Sequence, residues 1–259
     1  MSSEIRYVHG TPTMTIQQQS SAYIPGCAYY DDNITLLRAS LEQILRRTET
    51  LSSIDLLSLG IGHRYVVRGI LKGMGERLSH YVIVEGSQEI IDLFREEVVL
   101  PAHVQLVTAY FEKFDTERRF DVIEMGFVLE HVAEPAEILR RYRRFLKPGG
   151  RIMIAVPNAH SMHRLIGYHA GLLNDLHNLS ETDIALGHRR YFDPQQLRDL
   201  VQECGLEVVG SAGLMLKPIT SAQLSSIALD ERLILAMNEV AFSLPDVSNG
   251  IFLEARACC

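Results

Sequence analysis

The chain has 259 residues, of which 47% are hydrophobic and 22% are charged. This length and composition are typical of one folded domain with a large core, and they exclude a disordered or fibrous protein. The net charge of −7 argues against a nucleic-acid-binding protein that depends on a broad basic surface.

The N-terminal part contains a segment without periodicity and then a helical pattern. Residues 1–32 show no regular spacing, but their tyrosines indicate an arm that docks on the domain, because disordered segments are poor in aromatic residues. From Asn33 to about Thr48, apolar residues recur at helical spacing. We therefore expect an arm and helix over residues 1–50, able to act as a lid, and a main domain over residues 51–259.

The middle of the chain alternates between short apolar runs and helical patterns. Strands are predicted at about 54–59, 81–84, 104–107, 120–125 and 151–156. The intervening helices are predicted at about 65–72, ended by Gly73 and Gly75, then after the N-cap Ser87, and from Pro135 to Leu146 before the breaker cluster at 147–150. This alternation predicts an α/β protein with a Rossmann-like, doubly wound sheet and helices on both faces. Ligands of such sheets bind beyond the carboxyl ends of the parallel strands.

The rest of the chain departs from this alternation twice. Residues 158–192 carry five of the ten histidines and show no strand–helix cadence. A helix at 193–204 and a strand at 206–209 follow, and residues 217–248 then interrupt the pattern before a last strand at about 250–255. We expect both irregular stretches to be insertions on the substrate side of the domain.

A glycine turn and a later acid indicate a nucleoside site. Gly60 and Gly62 end the first predicted strand, where glycine permits unusual backbone angles and the close approach of a ligand. Glu85 ends the second predicted strand, and its carboxylate can accept hydrogen bonds from both ribose hydroxyls. Because Gly-x-Gly also occurs in turns that bind nothing, the acid carries much of this argument.

These residues and several later motifs resemble class I S-adenosylmethionine-dependent methyltransferases, from about residue 54 to residue 209. The further motifs are Phe120-Asp121-Val-Ile, Leu129-Glu130-His131-Val132 and Phe145-Leu-Lys-Pro-Gly-Gly150. Three others are similar to a bacterial subgroup associated with natural-product and surface-polysaccharide gene clusters, namely Val84-Glu-Gly-Ser87, Val156-Pro-Asn-Ala159 and Gly187-His-Arg-Arg190.

The resemblance implies a fold and a cofactor site. The fold has seven strands, with the last one antiparallel and inserted beside the sixth. The cofactor is S-adenosylmethionine. The contacts implied for it are Gly60 and Gly62 at the methionine part, Glu85 at the ribose, Tyr110, Phe111 and Glu112 at the adenine, and Gly126 and Phe127 beneath the sulfonium. Leu59, Gly86 and Ser87 are further residues expected to bind the cofactor.

Two residues depart from the family pattern. Ser58 stands where the family usually has an acid, which would weaken one contact to the amino end of the cofactor. Arg64 stands where a third glycine is common, and it would either approach the cofactor carboxylate or point to solvent. The usual acid after the third strand is also displaced, and an aromatic residue can stack on adenine in its place.

Methyl transfer is an in-line displacement that needs alignment and, for a hydroxyl or ammonium acceptor, a general base. His131, directly after the fourth strand, is the first candidate for the base, with packing beneath a helix as its alternative. The other catalytic candidates are His163 as a base, Asn158 as a group that orients the acceptor or only caps a turn, and Tyr30 as a group that closes over the cofactor or packs on the core.

The candidate substrate-binding residues are Tyr29, His160, His188, Arg189 and Arg190. The two arginines would hold a carboxylate or phosphate with paired hydrogen bonds. Their alternative is a solvated or structurally paired loop.

Three functions remain open from the sequence. The first is methylation of an oxygen or nitrogen of a small metabolite or sugar. The second is cyclisation or cleavage of S-adenosylmethionine itself on the same fold, giving for example azetidine-2-carboxylate and methylthioadenosine. The third is a non-catalytic scaffold that inherited the fold.

Cysteine spacing and hydropathy complete these expectations. The four cysteines show no Cys-x-x-Cys spacing, which predicts free thiols and no metal. We see no signal pattern and no apolar run of about 20 residues, so we expect a cytoplasmic protein without a membrane or nucleic-acid partner. No pattern indicates the oligomeric state.

Overall fold

The computed structural model describes residues 30–227 and 229–258, the first two of them by backbone only. Its strands are β1 (Ile54–Leu59), β2 (Leu78–Glu85), β3 (Val104–Thr108), β4 (Phe120–Gly126), β5 (Leu146–Pro157), β6 (Leu206–Leu214) and β7 (Gly250–Ala257). They form one seven-stranded sheet in the order β3-β2-β1-β4-β5-β7-β6. β1 pairs in parallel with β2 and β4, whereas β7 is antiparallel to both β5 and β6. The expected seven-stranded, Rossmann-like sheet is confirmed.

Helices cover both faces of the sheet. They are α1 (Tyr30–Arg47), α2 (Arg64–Met74), α3 (Gln88–Glu97), α4 (Pro135–Arg143), α5 (Met162–His169), α6 (Glu181–Ala185), α7 (Pro194–Glu203), α8 (Ser221–Ile227) and α9 (Glu231–Phe242). One core cluster joins the sheet to α1, α2 and α3, and the other joins it to α4 and α7. None of the helices in the described ranges combines the length and apolar character needed to cross a bilayer.

Helix α1 is built into the core. Its side chains Leu41 and Leu45 pack onto Gly69 and Gly73 of α2, where an added Cβ would lie 2.2 Å and 2.6 Å from the leucine methyl carbons. The two glycines therefore let the helix axes approach closely. Gly73 lies inside α2 rather than ending it, and the helix ends at Gly75, whose φ of 54° favours glycine.

The fifth strand differs from its prediction. β5 begins at Leu146, so the cluster at 147–150 lies within the strand instead of after a helix that ends at residue 146. Leu146 pairs with Phe120, and the register then shifts before Arg151 pairs with Val122. At Gly150 an added Cβ would lie 2.7 Å from the Phe120 carbonyl oxygen, so glycine is required for this early pairing.

The two predicted insertions contain helices that the sequence pattern did not indicate. Helices α5 and α6 lie within residues 158–192, and α8 lies within residues 217–248. All three are short, at eight, five and seven residues, which gives little length for an apolar periodicity to show. The division of the chain at residue 50, the lid and the substrate-side role of both insertions stay predictions.

Candidate active site

A cavity of about 530 Å³ opens at the carboxyl ends of the parallel strands. Its walls come from α1, the turns after β1, β2, β4 and β5, and the segment before Tyr191. The lining residues include Asn33, Leu36, Leu59, Gly60, Gly62, Glu85, Phe111, Gly126, Phe127, Glu130, His131, Pro157, Leu186 and His188. The volume is in the range of small-molecule sites.

The glycine turn forms one side of this cavity. Gly60 and Gly62 have φ angles of 80° and 57°, in the left-handed region that favours glycine. The Gly60 N–H donates to the Val84 carbonyl at 2.7 Å, which fixes the turn to β2. An added Cβ on Gly62 would meet no atom within 4 Å, so backbone angle rather than crowding selects this glycine.

Glu85 lies at the tip of β2 and bridges to β1. One carboxylate oxygen accepts from the Ile61 N–H at 3.2 Å, and the other accepts from the Ser87 N–H at 3.0 Å. Ser87 itself caps α3 by accepting from the Ile90 N–H. Two backbone donors therefore orient the carboxylate, and each oxygen keeps a lone pair for a ligand hydroxyl.

Only one of the three residues expected at the adenine lines the cavity. Phe111 is a lining residue, and its ring lies 3.8 Å from the position of a Cβ on Gly60. Tyr110 is 67% exposed, with its ring against Gly86, and Glu112 is also exposed. Tyr110 begins a tight turn, because its carbonyl accepts from the N–H groups of residues 113 and 114. That turn directs successive side chains to different sides.

Arg64 lines the cavity and pairs with Glu97. Its Nε lies 2.8 Å from a carboxylate oxygen of Glu97, and the two side chains form a pair at the cavity wall. The pair joins the start of α2 to the end of α3. Arg64 is thus engaged by the protein rather than pointing free into solvent.

Two imidazoles face each other on the opposite wall. The ring centroids of His131 and His188 are 4.8 Å apart, at an interplanar angle of 76°. Burial, followed by the neighbouring His188, lowers the pKa of His131 to about 4. Burial raises the pKa of the adjacent Glu130 to about 7, and neither of its carboxylate oxygens has a hydrogen-bond partner among the described residues.

Asp183 lies behind His188. An oxygen of its carboxylate is 3.4 Å from His188 Nδ1, and the same oxygen accepts from the Tyr191 hydroxyl at 3.0 Å. Burial would raise the pKa of Asp183, but hydrogen bonds from His188 and from Ser180 lower it to about 2. The carboxylate is therefore ionised beside the His188 ring.

Asn158 and His163 do not line the cavity. The Asn158 amide is 1% exposed, donates to the Ser248 carbonyl at 2.9 Å and accepts from the His160 N–H at 2.8 Å. These bonds tie β5 to the chain before β7, so Asn158 has a structural place instead of facing an acceptor. The His163 N–H donates to the Lys217 carbonyl, and burial, together with the cations Lys217 and Arg164, lowers the pKa of its imidazole to about 3.

The expected substrate-binding residues are divided. His188 lines the cavity, whereas His160, Arg189 and Arg190 do not. Arg190 donates to the Ala133 carbonyl at 2.9 Å, which is the structurally paired alternative for this loop. Tyr29 lies outside the described residues, and for Tyr30 only the backbone, at the start of α1, is described.

Two clusters in the described part of the chain have the side-chain chemistry of metal sites. They are Glu130 with His131 and His188, and His160 with His177 and Asp193. In each, the potential ligand atoms lie within 4.8 Å of one another. The first cluster is part of the cavity, so the expectation of no metal stays a prediction.

Sequence reasoning missed three acids near the cavity: Glu124, Glu130 and Asp183. Asp183 had a usable signal, because Ser180 and Asp183 form a capping box at the start of α6. Glu130 was seen only as part of a motif. Nothing in the local pattern indicates that His131 and His188 come together from positions 57 residues apart.

Comparison with known families shows which family the chain belongs to. A family model described as a methyltransferase domain matches residues 30–211, which is more than half of the chain. The chain belongs to this methyltransferase family. Its relatives include the ubiquinone biosynthesis O-methyltransferase of Colwellia psychrerythraea, which is 27% identical over 189 residues, covering 72% of this chain and 74% of the relative.

Solved structures show the same fold for this methyltransferase. One is the methyltransferase in the complex with the Haloferax volcanii Trm112 methyltransferase activator, with a TM-score of 0.61, 15% identity and coverage of 94% and 95% of the two chains. Another is magnesium protoporphyrin IX methyltransferase from Synechocystis PCC 6803 with bound S-adenosylhomocysteine, with a TM-score of 0.58, 11% identity and coverage of 93% and 94%. The protein is an S-adenosylmethionine-dependent methyltransferase.

Proposed function

We propose that this methyltransferase transfers the methyl group of S-adenosylmethionine to an oxygen or nitrogen of a small metabolite or sugar. The observation that carries the proposal is the His188–Asp183 pair in the wall of a cavity that also contains the glycine turn and Glu85. A base and a nucleoside would thus share one cavity. The resemblance to a bacterial natural-product subgroup supports an acceptor of that class.

The cofactor would lie across the tips of β1 and β2. Glu85, held by two backbone N–H groups, would bind the ribose hydroxyls. Gly60 and Gly62 would contact the methionine part, and Phe111 would pack on the adenine. Gly126 and the positive-φ residue Phe127 would form the floor beneath the sulfonium.

His188 is the better placed general base. The pKa of His131 is lowered to about 4, so its imidazole is neutral but weakly basic at neutral pH. The ionised Asp183 lies 3.4 Å from His188 Nδ1, where it would orient the ring during proton transfer. His131 would then position His188 and contact the acceptor.

The two other functions lack the observation that would favour them. Cyclisation of the cofactor would be favoured by tyrosines close to the sulfonium, and no tyrosine is among the described residues that line the cavity. A scaffold would be favoured by side chains filling the cleft, whereas about 530 Å³ is open.

Product analysis tests the proposal. The purified protein is incubated with S-adenosylmethionine alone and then with panels of hydroxylated and amino metabolites. We expect S-adenosylhomocysteine to form only when an acceptor is present, together with a product heavier by one methylene. Methylthioadenosine formed without an acceptor would contradict the proposal and support cofactor cleavage.

A further inference from the structure

One buried acid has no part in the chemistry described so far. Glu124 lies on β4 and is only 7% exposed. In the parallel pairing of β1 with β4, it stands directly opposite Ser58. Ser58 is the position where the family pattern has an acid, so a carboxylate is present one strand away from the place where it is missing.

The surroundings of Glu124 are built for a carboxylate. One oxygen accepts from the Gly126 N–H at 2.7 Å, and an added Cβ on Gly126 would lie 2.3 Å from that oxygen. The Ser58 hydroxyl hydrogen-bonds to the carboxyl group and lies 3.0 Å from the Tyr81 hydroxyl. Any side chain at Gly126 would therefore displace the carboxylate.

Glu124 has donors but no counter-ion. No ion pair among the described residues includes it. Its side-chain neighbours are the Ser58 hydroxyl and the buried Tyr81 phenol, which stays protonated and uncharged. Burial raises the pKa of Glu124 to about 7, against the hydrogen bonds from Ser58 and Gly126 that favour the charged form. A cation arriving beside it would offset the cost of burying the charge.

Glu124 is next to the glycine turn. It lines a small side cavity of about 20 Å³ together with Gly60, Gly62, Gly126 and Phe127. Those four residues also line the main cavity. The carboxylate therefore lies in a side cavity that adjoins the glycine turn, where the methionine part of the cofactor would lie.

We propose that Glu124 binds the α-ammonium group of S-adenosylmethionine, replacing on β4 the acid that β1 lacks at Ser58. The inference rests on the placement of the methionine part at the glycine turn. It explains why Ser58 is tolerated: the small hydroxyl leaves room for the opposing carboxylate and donates to it.

Two ligands and two variants test this role. S-adenosylhomocysteine carries the amino-acid part, whereas 5′-methylthioadenosine carries only the nucleoside. Binding of each is measured by calorimetry at pH 7 for the native protein, Glu124→Gln and Glu85→Gln. Glutamine at position 124 can keep its carbonyl oxygen on the Gly126 N–H, so the local fold is preserved.

We expect the variants to differ in which ligand they affect. Glu124→Gln should weaken S-adenosylhomocysteine binding by about 10- to 100-fold, from loss of a charged hydrogen bond, and leave methylthioadenosine binding within about twofold. Glu85→Gln should weaken both ligands. Equal effects of Glu124→Gln on both ligands, or none on either, would overturn the role of Glu124. If the native protein bound neither ligand, the placement of the cofactor would fail instead.

The free protein gives a second readout. The pKa of Glu124 is raised above its unfolded value, so its contribution to stability is full below pH 4 and is lost as pH rises through about 7. Glu124→Gln should therefore raise the melting temperature of the ligand-free protein at pH 8 more than at pH 5. No gain at pH 8 would contradict a desolvated carboxylate awaiting a cation, and the proposal with it.

Discussion

The proposed cofactor side of the cavity is formed mainly by backbone groups, and the proposed acceptor side is formed mainly by side chains. On the cofactor side, the backbone does most of the positioning: Gly60 and Gly62 set the turn, and two N–H groups orient Glu85. On the proposed acceptor side, His188 lies beside one side chain, Asp183, and packs against another, His131. One side depends on backbone groups, and the other depends on side chains.

The difference shows which changes each side tolerates. A backbone site is specified by residues that permit unusual angles or close approach, so it is fixed within a few positions of sequence. A side-chain site can exchange its residues without altering the turn that carries the cofactor. The same sheet can therefore retain its cofactor while its acceptor changes.

The largest effect is expected from a substitution on the proposed acceptor side. His188→Ala should lower kcat by about 10²- to 10⁴-fold, because the general base and its carboxylate partner are lost. Binding of S-adenosylhomocysteine should stay within about twofold, measured by calorimetry. His169→Ala, at an exposed position on α5, is the matched control and should retain activity. A loss of kcat below about threefold in the His188 variant would remove the base assignment.

A second change breaks the cofactor side. Glu85→Ala should weaken binding of S-adenosylhomocysteine by about 1.5–3 kcal/mol, because the charged hydrogen bonds to the ribose are lost. Titration calorimetry measures the change, with the exposed Glu89→Ala on α3 as control. Unchanged affinity would mean that the ribose lies elsewhere.

A third, smaller effect concerns the stability of the acceptor side. The depressed pKa of Asp183, about 2, contributes stability that is present above pH 4 and lost as pH falls through about 2. Asp183→Asn should therefore cost about 2 kcal/mol of unfolding free energy at pH 7, and the gap to the native protein should narrow below pH 4. Urea unfolding across this range tests the sign. Asp175→Asn, at an exposed pair with His177, should change stability little.

The last prediction is that removal of metal ions has no effect on turnover. Because no metal is predicted, extensive treatment with a chelator should leave turnover unchanged once an acceptor is known. Loss of activity that a divalent cation restores would place an ion at Glu130, His131 and His188, the cluster that lies in the cavity. His188→Ala would then lower metal affinity as well as kcat.

Most of the fold could be predicted from the sequence. Regular strand–helix alternation and the glycine turn indicate the parallel sheet, and the family resemblance supplied the antiparallel β7. The predicted helix ends failed where glycines serve packing instead of termination. Gly73 lies within α2 and leaves room for the Leu45 side chain of α1. Gly150 allows β5 to begin at Leu146. A glycine's purpose in such cases depends on the partner that approaches it.

Some residues of the candidate site could be predicted from the sequence and others could not, because the role of the others depends on partners from distant parts of the chain. Gly60, Gly62 and Glu85 could be placed because strand tips of a parallel sheet meet at one edge. Asn158 and His163 also follow β5, yet the Asn158 side chain donates to the Ser248 carbonyl and the His163 backbone N–H donates to the Lys217 carbonyl. Asp183 and Glu124 acquire their importance only from neighbours on other elements, His188 and Ser58, which a linear pattern does not reveal.

The position of β7 between β5 and β6 has a consequence for biosynthesis. Strands β1 to β5 can pair as soon as about residue 157 has emerged from the ribosome, so the glycine turn and Glu85 can be in place early. β6 has β7 as its neighbour in the sheet and must wait for residues 250–257. During translation the glycine turn and Glu85 can thus form before the last edge of the sheet is paired. A nascent chain stalled after β6 would carry that strand unpaired.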